Sequence, residues 1–317
     1  MSARRETDRM RIVSLLPSAT EILCLLGLED SLVGVSHECD FPLTASRLPK
    51  VVSCAFDPAE LSEREIDERV RAAMEAGRGA CEIDEALLAS LDPDLVITQE
   101  LCDVCAVPQA AAVAAVARLA PSAQILSLHP HALADVFDDI RRIGEATETS
   151  GRAHREIERL SGRLARVGER LTRIARRPRV AALEWLDPIM ASGHWVVEMI
   201  ARAGGTDFLG RDRAPSVCVP WEEVARYAPE VLVLMPCGFD VERGARDAER
   251  LVGLPGWESL PAVASGEVYA VNGSAYFNRS GPRLVDGVEI LAEILHPEVF
   301  PRRARPEDYR RLQAVAA

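Results

Sequence analysis

The middle of the chain constrains it most. From residue 133 to residue 176 the patterning is helical throughout, whereas on either side short apolar strands alternate with helices. Strands alternating with helices specify a parallel sheet covered by helices on both faces. The run 153–175 reads as one continuous helix, on the order of 35 Å long at 1.5 Å per residue, about the width of a small domain. With polar residues on most faces, such a helix reads as a bridge between domains. A chain of 317 residues is long enough for two domains of ordinary size. The expected architecture is therefore two Rossmann-like α/β lobes joined by one long backbone helix, with a ligand cleft between the lobes. The boundaries are a lobe over 10–130, a bridging segment over 131–177, a second lobe over 178–300 and a tail over 301–317.

In the first lobe "RIVSLL" (11–16), "SLVGVS" (31–36), "KVVSC" (50–54), "DLVITQ" (94–99) and "QILSL" (124–128) read as strands. Helices are expected over 62–76, 83–90 and 109–119. Ser18 with Glu21 three residues later has the spacing of a capping box and announces a helix that stops at Gly27. In the second lobe strands are expected over 179–185, 230–236 and 267–272. Helices are expected over 194–205, within 218–229, over 247–251 and over 281–297. "SLDPDLVIT" in the first half is echoed by "RYAPEVLVL" in the second.

Charge narrows the partners. A formal net charge of −12 offers nothing to a polyanion, so nucleic acid is excluded as a general partner. The basic run 152–179 is diluted by Glu156, Glu158 and Glu169 and reads as a solvated helix face. Near the N-terminus the apolar stretch is broken by Pro17, Ser18, Thr20 and Glu21, which is not a signal-peptide pattern. No segment reaches the roughly 18 uncharged apolar residues of a membrane span, so no membrane insertion is expected. As written the sequence reads as cytoplasmic, or as extracytoplasmic if an export signal lies upstream. In a large chain of that kind eight cysteines do not imply a disulfide framework. Cys24, on an apolar helix face, reads as a small core residue.

In open parallel sheets ligands bind beyond the carboxyl ends of the strands. The chemistry-bearing residues gather there. His37, Glu38 and Cys39 follow the second strand, Cys54 ends the third, and Glu100, Cys102 and Cys105 follow the fourth. In the second lobe Glu184 and Trp185 end one strand and Cys237 follows the next. Tyr276, Phe277, Asn278 and Arg279 follow the last, and Trp195 opens a helix. The pair Cys102-x-x-Cys105 lacks the second pair that zinc sites usually show, so its remaining ligands would come from His37, Cys39 or Cys54. Metal binding, redox chemistry and plain buried thiols all stay open at this stage. Pro108 sets the next helix start after both cysteines, which argues against a thioredoxin-type arrangement. There is no glycine-rich phosphate loop, no G-x-S-x-G and no H-E-x-x-H.

"RIVSLLPSATEILCLLGLEDSLVGVSHECDFP", "LLASLDPDLVIT", "ARAGGTDFLG" and "WEEVARYAPEVLVL" together resemble the helical-backbone class of ABC-importer substrate-binding proteins. Within it they resemble the cobalamin-binding branch. The resemblance runs from about residue 11 to residue 297. It implies a rigid, non-catalytic two-lobed receptor for cobalamin or a related metal chelate such as haem or a ferric siderophore. It also implies an importer permease as partner, met by one exposed glutamate on each lobe, here Glu85 and Glu222. Against the class, the sequence reads as without a signal peptide or lipobox, and it carries the thiol-rich loops "SHECDFP" and "TQELCDVCAVP". On this reading Trp185, Trp195, Tyr276 and Phe277 give flat apolar contact, and Glu184, Asn278 and Arg279 address polar rim groups. The alternative is a zinc, iron or copper site built from His37, Cys39, Cys102 and Cys105. It would serve a metal-binding protein or a metal-dependent enzyme, with Glu184 or Glu38 as general base.

Overall fold

The computed structural model describes residues 9–76, 79–100 and 107–312. The chain divides into two compact units, Met1–Pro130 with Asp135–Ile157, and His131–Ala134 with Glu158–Ala317.

The first unit is built on a six-stranded sheet of order β4-β3-β2-β1-β5-β6. Its strands are β1 (Ile12–Ser14), β2 (Leu32–Ser36), β3 (Lys50–Cys54), β4 (Cys81–Ile83), β5 (Leu95–Gln99) and β6 (Gln124–Leu128). All pairings are parallel except β3 with β4, which is antiparallel. Chain order reverses between β1 and β5, the kind of switch point at which open sheets bind ligands. Leu95, Val96 and Ile97 are all buried, as expected of a strand covered on both faces. The helices are α1 (Pro17–Leu25), α2 (Glu63–Glu75), α3 (Glu85–Leu91), α4 (Gln109–Leu119) and α5 (Leu133–Ala146).

Two local expectations are corrected here. The Ser18–Glu21 capping box does not form. Pro17 takes the first helical position, so Ser18 already lies inside α1, and Leu16 caps the helix with no side-chain hydrogen bond. A capping box forms instead at α2, where the Glu65 N–H donates to Ser62 Oγ (3.3 Å) and the Ser62 N–H to Glu65 Oε2 (2.8 Å). The helix expected from residue 83 begins at Glu85, because residues 81–83 pair with β3 and Asp84 caps α3 through the Leu87 N–H at 2.9 Å.

The long helix α6 (Ser150–Leu171) starts in the first unit and continues into the second. It is less uniformly polar than the sequence suggests, since Ala153, Leu160, Leu164 and Val167 form one buried stripe.

The second unit has a six-stranded sheet of order β12-β11-β10-β7-β8-β9. The strands are β7 (Val180–Leu186), β8 (Ile189–Ala191), β9 (Val217–Cys218), β10 (Val231–Leu234), β11 (Val268–Val271) and β12 (Tyr309–Arg311). β7, β10 and β11 are mutually parallel, and β8, β9 and β12 join antiparallel. Part of the 301–317 tail is thus an edge strand of this sheet. The helices are α7 (Val196–Arg202), α8 (Trp221–Tyr227), α9 (Val241–Asp247), α10 (Pro261–Ala264), α11 (Gly273–Tyr276) and α12 (Leu284–Leu295). The short helix expected over 247–251 is a 3-10 turn at Ala248–Leu251, and it directly follows α9, which the sequence reading did not expect and which Asp240 caps through the Arg243 N–H. Trp221 and Trp257 pack with ring centroids 6.0 Å apart inside the core of this unit. Among the described residues no helix is long and apolar enough to cross a membrane.

Candidate functional site

In the first unit three strands bring donor atoms together at one end of the sheet. β2 ends at Ser36, and the N–H of the next residue, His37, donates to the Val52 carbonyl of β3 at 3.1 Å. β3 ends at Cys54, and Cys81 opens β4 as its register partner. The Ala55 N–H donates to the Ala80 carbonyl at 2.9 Å, which makes Cys54 and Cys81 a non-hydrogen-bonded pair, the kind whose side chains approach most closely. One donor atom each from His37, Cys54 and Cys81 lies within 4.8 Å of the others. Hydrogen bonds from Cys81, then His37, hold the Cys54 thiol far below its usual range, with the Phe56 N–H adding to them. The same Cys54 contact raises His37 above its usual range against the effect of burial, and Glu38 adds to the rise. The imidazole also lies 3.4 Å from Ser36 Oγ through Nδ1 and 3.5 Å from Glu38 Oε1 through Nε2.

The other expected donors of this unit go elsewhere. Cys39 is buried and its Sγ lies 3.1 Å from Thr20 Oγ1, so it serves the interior around α1 and does not join His37. Cys102 and Cys105 lie outside the described residues. Glu100 is exposed and accepts from Gln109 Nε2. Glu85, at the first turn of α3, is ion-paired to Arg118 at 2.6 Å.

In the second unit the carboxyl ends of β7, β10 and β11 carry the remaining candidates. Glu184 has both oxygens engaged, accepting from the Gly193 N–H at 2.9 Å and from Ser216 Oγ. Burial raises its carboxyl to about 7, the two hydrogen bonds opposing, and nearby Asp207 adds to the rise. Its role is to tie the loops around β8 and β9 to β7. Trp185 is partly exposed, bonds the Asp187 carbonyl through Nε1 at 3.1 Å, and lies against Phe239 with centroids 5.5 Å apart. The Arg243 guanidinium covers the Phe239 ring at 4.4 Å. Cys237 and Arg279 are partly buried. Tyr276 Oη donates to Asp308 Oδ1 at 2.7 Å. Asn278 Nδ2 donates to the Met235 carbonyl at 3.2 Å, while its buried Oδ1 has no partner among the described residues. Two expected contact residues are core residues: Phe277 is fully buried and Trp195 nearly so, joined by an indole hydrogen bond. Glu222 is exposed in the first turn of α8.

Sequence reasoning missed Cys81, His131 and His194. Cys81 is placed by the register of a three-residue strand, for which no sequence period exists. His131, just before α5, stacks on His194 with centroids 5.7 Å apart and planes at 22°. His194 sits at φ +50° and its ring also packs on Trp195. The signal available for them was the short run His129-Pro130-His131 and a histidine beside a helix start.

A sequence model described as periplasmic binding protein matches residues 12–275. An uncharacterized ABC transporter substrate-binding lipoprotein of Bacillus subtilis is 25% identical, over 92% of this chain and 81% of its own. A vitamin B12-binding protein of Vibrio cholerae is 26% identical, over 90% of this chain and 88% of its own. Among solved structures, a periplasmic heme-binding protein from Pseudomonas aeruginosa gives a TM-score of 0.69 at 18% identity, covering 94% of this chain and 96% of its own. At that identity the likeness speaks for the fold alone.

Proposed function

The chain belongs to the periplasmic binding protein family, whose members are solute receptors, and from that premise we propose that it is a non-catalytic receptor for a corrinoid or a related metal chelate of the haem or siderophore type. The observation that carries this reading is the partly exposed Trp185 ring, backed by Phe239, at the carboxyl ends of the adjacent parallel strands β7 and β10. A broad ring held from behind offers the flat apolar contact that a macrocycle needs. Asn278, whose Oδ1 has no partner among the described residues, supplies an acceptor for peripheral amides, and Arg279 a donor for amides or carboxylates. His131 and His194 supply imidazoles of the type that ligate cobalt or iron. The curated relative from Vibrio cholerae, named for vitamin B12, supports a corrinoid as the first ligand to try.

The implied partner is an importer permease, with Glu85 and Glu222 as the docking carboxylates. The family works on the extracytoplasmic side of the membrane. Fractionation of the natively expressed protein tests that location.

The test is an absorbance titration of purified protein with hydroxocobalamin, hemin and a ferric siderophore. The expected result is saturable binding of one of them at one per chain, weakened about tenfold or more by Trp185→Ala, the scale of an aromatic anchor. No saturable binding of any of the three would sink the receptor reading.

A further inference from the structure

We propose that His37, Cys54 and Cys81 form a binding site, within the first unit, for a borderline-soft divalent metal ion of the zinc type. The geometry fits. With metal–sulfur bonds of about 2.3 Å and metal–nitrogen bonds of about 2.0 Å, neighbouring donors of a tetrahedral site lie roughly 3.5–3.8 Å apart. The three donors here already lie within 4.8 Å of one another, so closing on an ion needs only side-chain adjustment. They are carried by the ends of three hydrogen-bonded strands, which fixes their backbones before any ion arrives.

The chemistry of the set fits as well. Two thiolates and a neutral imidazole around a divalent cation sum to no net charge, so the partly buried site carries no uncompensated ion. Ser36 Oγ lies beside Nδ1 and Glu38 beside Nε2 of the His37 ring, so the nitrogen that does not take the ion keeps a contact of the kind that orients a metal-ligating imidazole. A disulfide would account for the facing Cys54 and Cys81 but not for the imidazole donor that His37 places within 4.8 Å of both. Cys81 is buried, whereas His37 and Cys54 are partly exposed. An ion can therefore enter from that side, and among the described residues the fourth coordination position is left to water or an exogenous ligand.

Cobalt(II) is the probe. Full-length protein is purified anaerobically with reductant, stripped with a chelator and titrated with cobalt(II), then with zinc. The expected result is one cobalt per chain with a sulfur-to-cobalt charge-transfer band and the intense visible bands of a tetrahedral site, all displaced by one zinc. Cys54→Ser and Cys81→Ser abolish the charge-transfer band or weaken binding more than about a hundredfold, beyond the 10–100-fold range of lost supporting contacts. His37→Gln keeps a weakened band, and Cys218→Ser, at an exposed cysteine of the second unit, keeps it unchanged. Circular dichroism checks that each variant is folded, and the exposed side of His37 makes His37→Gln the safeguard should Cys81→Ser fail to fold. The proposal is overturned if reduced protein shows no charge-transfer band, or if the band survives intact in the folded Cys54→Ser and His37→Gln variants.

Discussion

The indole N–H of Trp195 donates to the carbonyl oxygen of Phe277 at 2.7 Å, and both rings lie in the core of the second unit. This bond ties the entry of α7 to the segment just after α11, and it takes two aromatic residues away from ligand contact. Trp195→Phe leaves the buried Phe277 carbonyl without its donor and opens a cavity where the larger ring stood. The expected cost is about 2–4 kcal/mol in a urea denaturation. Ligand affinity, measured where the variant is still folded, is expected to stay within about threefold of wild type. A larger loss of affinity at unchanged stability would return Trp195 to the binding surface.

Glu184 makes stability depend on pH in a direction that can be worked out. Its carboxyl is raised from 4.5 to about 7, chiefly by burial. Between those two values the folded state keeps a proton that the unfolded state has lost. The contribution of Glu184 is therefore fully present below about pH 4.5 and is lost as pH rises towards 7. At about 1.4 kcal/mol per pH unit, the loss is on the order of 3 kcal/mol. Glu184→Gln imitates the protonated acid, accepting from the Gly193 N–H and donating towards Ser216. The variant is expected to match wild type at pH 5 and to exceed it at pH 8. Taking the difference between the two proteins removes Asp139, a raised carboxyl of the first unit, from the comparison, whereas Asp207, which acts on Glu184, is read together with it. Identical slopes would mean that Glu184 is ionised throughout.

The "AGG" of the sequence is a helix ending. α7 closes with the Gly204 N–H on the Ala201 carbonyl at 3.2 Å and the Gly205 N–H on the Ile200 carbonyl at 2.9 Å, with Gly204 at φ +89°. A Cβ on Gly204 would stand 2.6 Å from His296 Nε2 and 2.8 Å from a Leu171 methyl. That His296 nitrogen also lies 3.2 Å from the Gly204 carbonyl, so neither side can yield without losing a buried contact. Gly204→Ala is expected to cost about 2–4 kcal/mol, from the left-handed backbone and the clash together. A thermal melt within a degree or two of wild type would show that His296 has room to move.

The sequence exposed the fold where elements are long enough to carry a period. β3, β6 and α4 lie where their patterns put them, residue for residue. It concealed β4, β8, β9 and β12, because strands of two or three residues are defined by pairing, which no local pattern records. The same limit governs the candidate sites. His37 and Cys54 were visible because each ends a readable strand. Cys81 joins them only through the antiparallel register of β4, and the nearer-looking Cys39 turns inward to Thr20. Aromatic identity alone could not separate Trp185, which stays partly exposed, from Trp195 and Phe277, which are buried. An aromatic residue near a strand end serves a core as readily as a pocket. Glu184 was read as a ligand contact, and its place between Gly193 and Ser216 depends on loops that only the folded sheet brings together.

Arg163 anchors the long helix within the second unit. From α6 its Nη2 reaches Asp286 Oδ1 at 2.6 Å and Glu289 Oε2 at 2.7 Å, while Nε reaches Glu289 Oε1 at 3.0 Å, both acids on α12. The guanidinium is largely covered, so the pairing is screened less than an open surface bridge. The planar fork engages Glu289 through two parallel bonds, an arrangement that an ammonium cannot copy. Arg163→Ala is therefore expected to destabilise the protein by about 1–3 kcal/mol in urea, and Arg163→Lys to recover less than half of that loss. Because both carboxylates stay partly exposed, the gap between wild type and Arg163→Ala should narrow when the measurement is repeated in 1 M salt, where the screening length is about 3 Å. Full recovery by lysine would mean that Asp286 and Glu289 require a positive charge and not a fork, and the hold of α6 on α12 would then rest on the apolar stripe of Leu160, Leu164 and Val167.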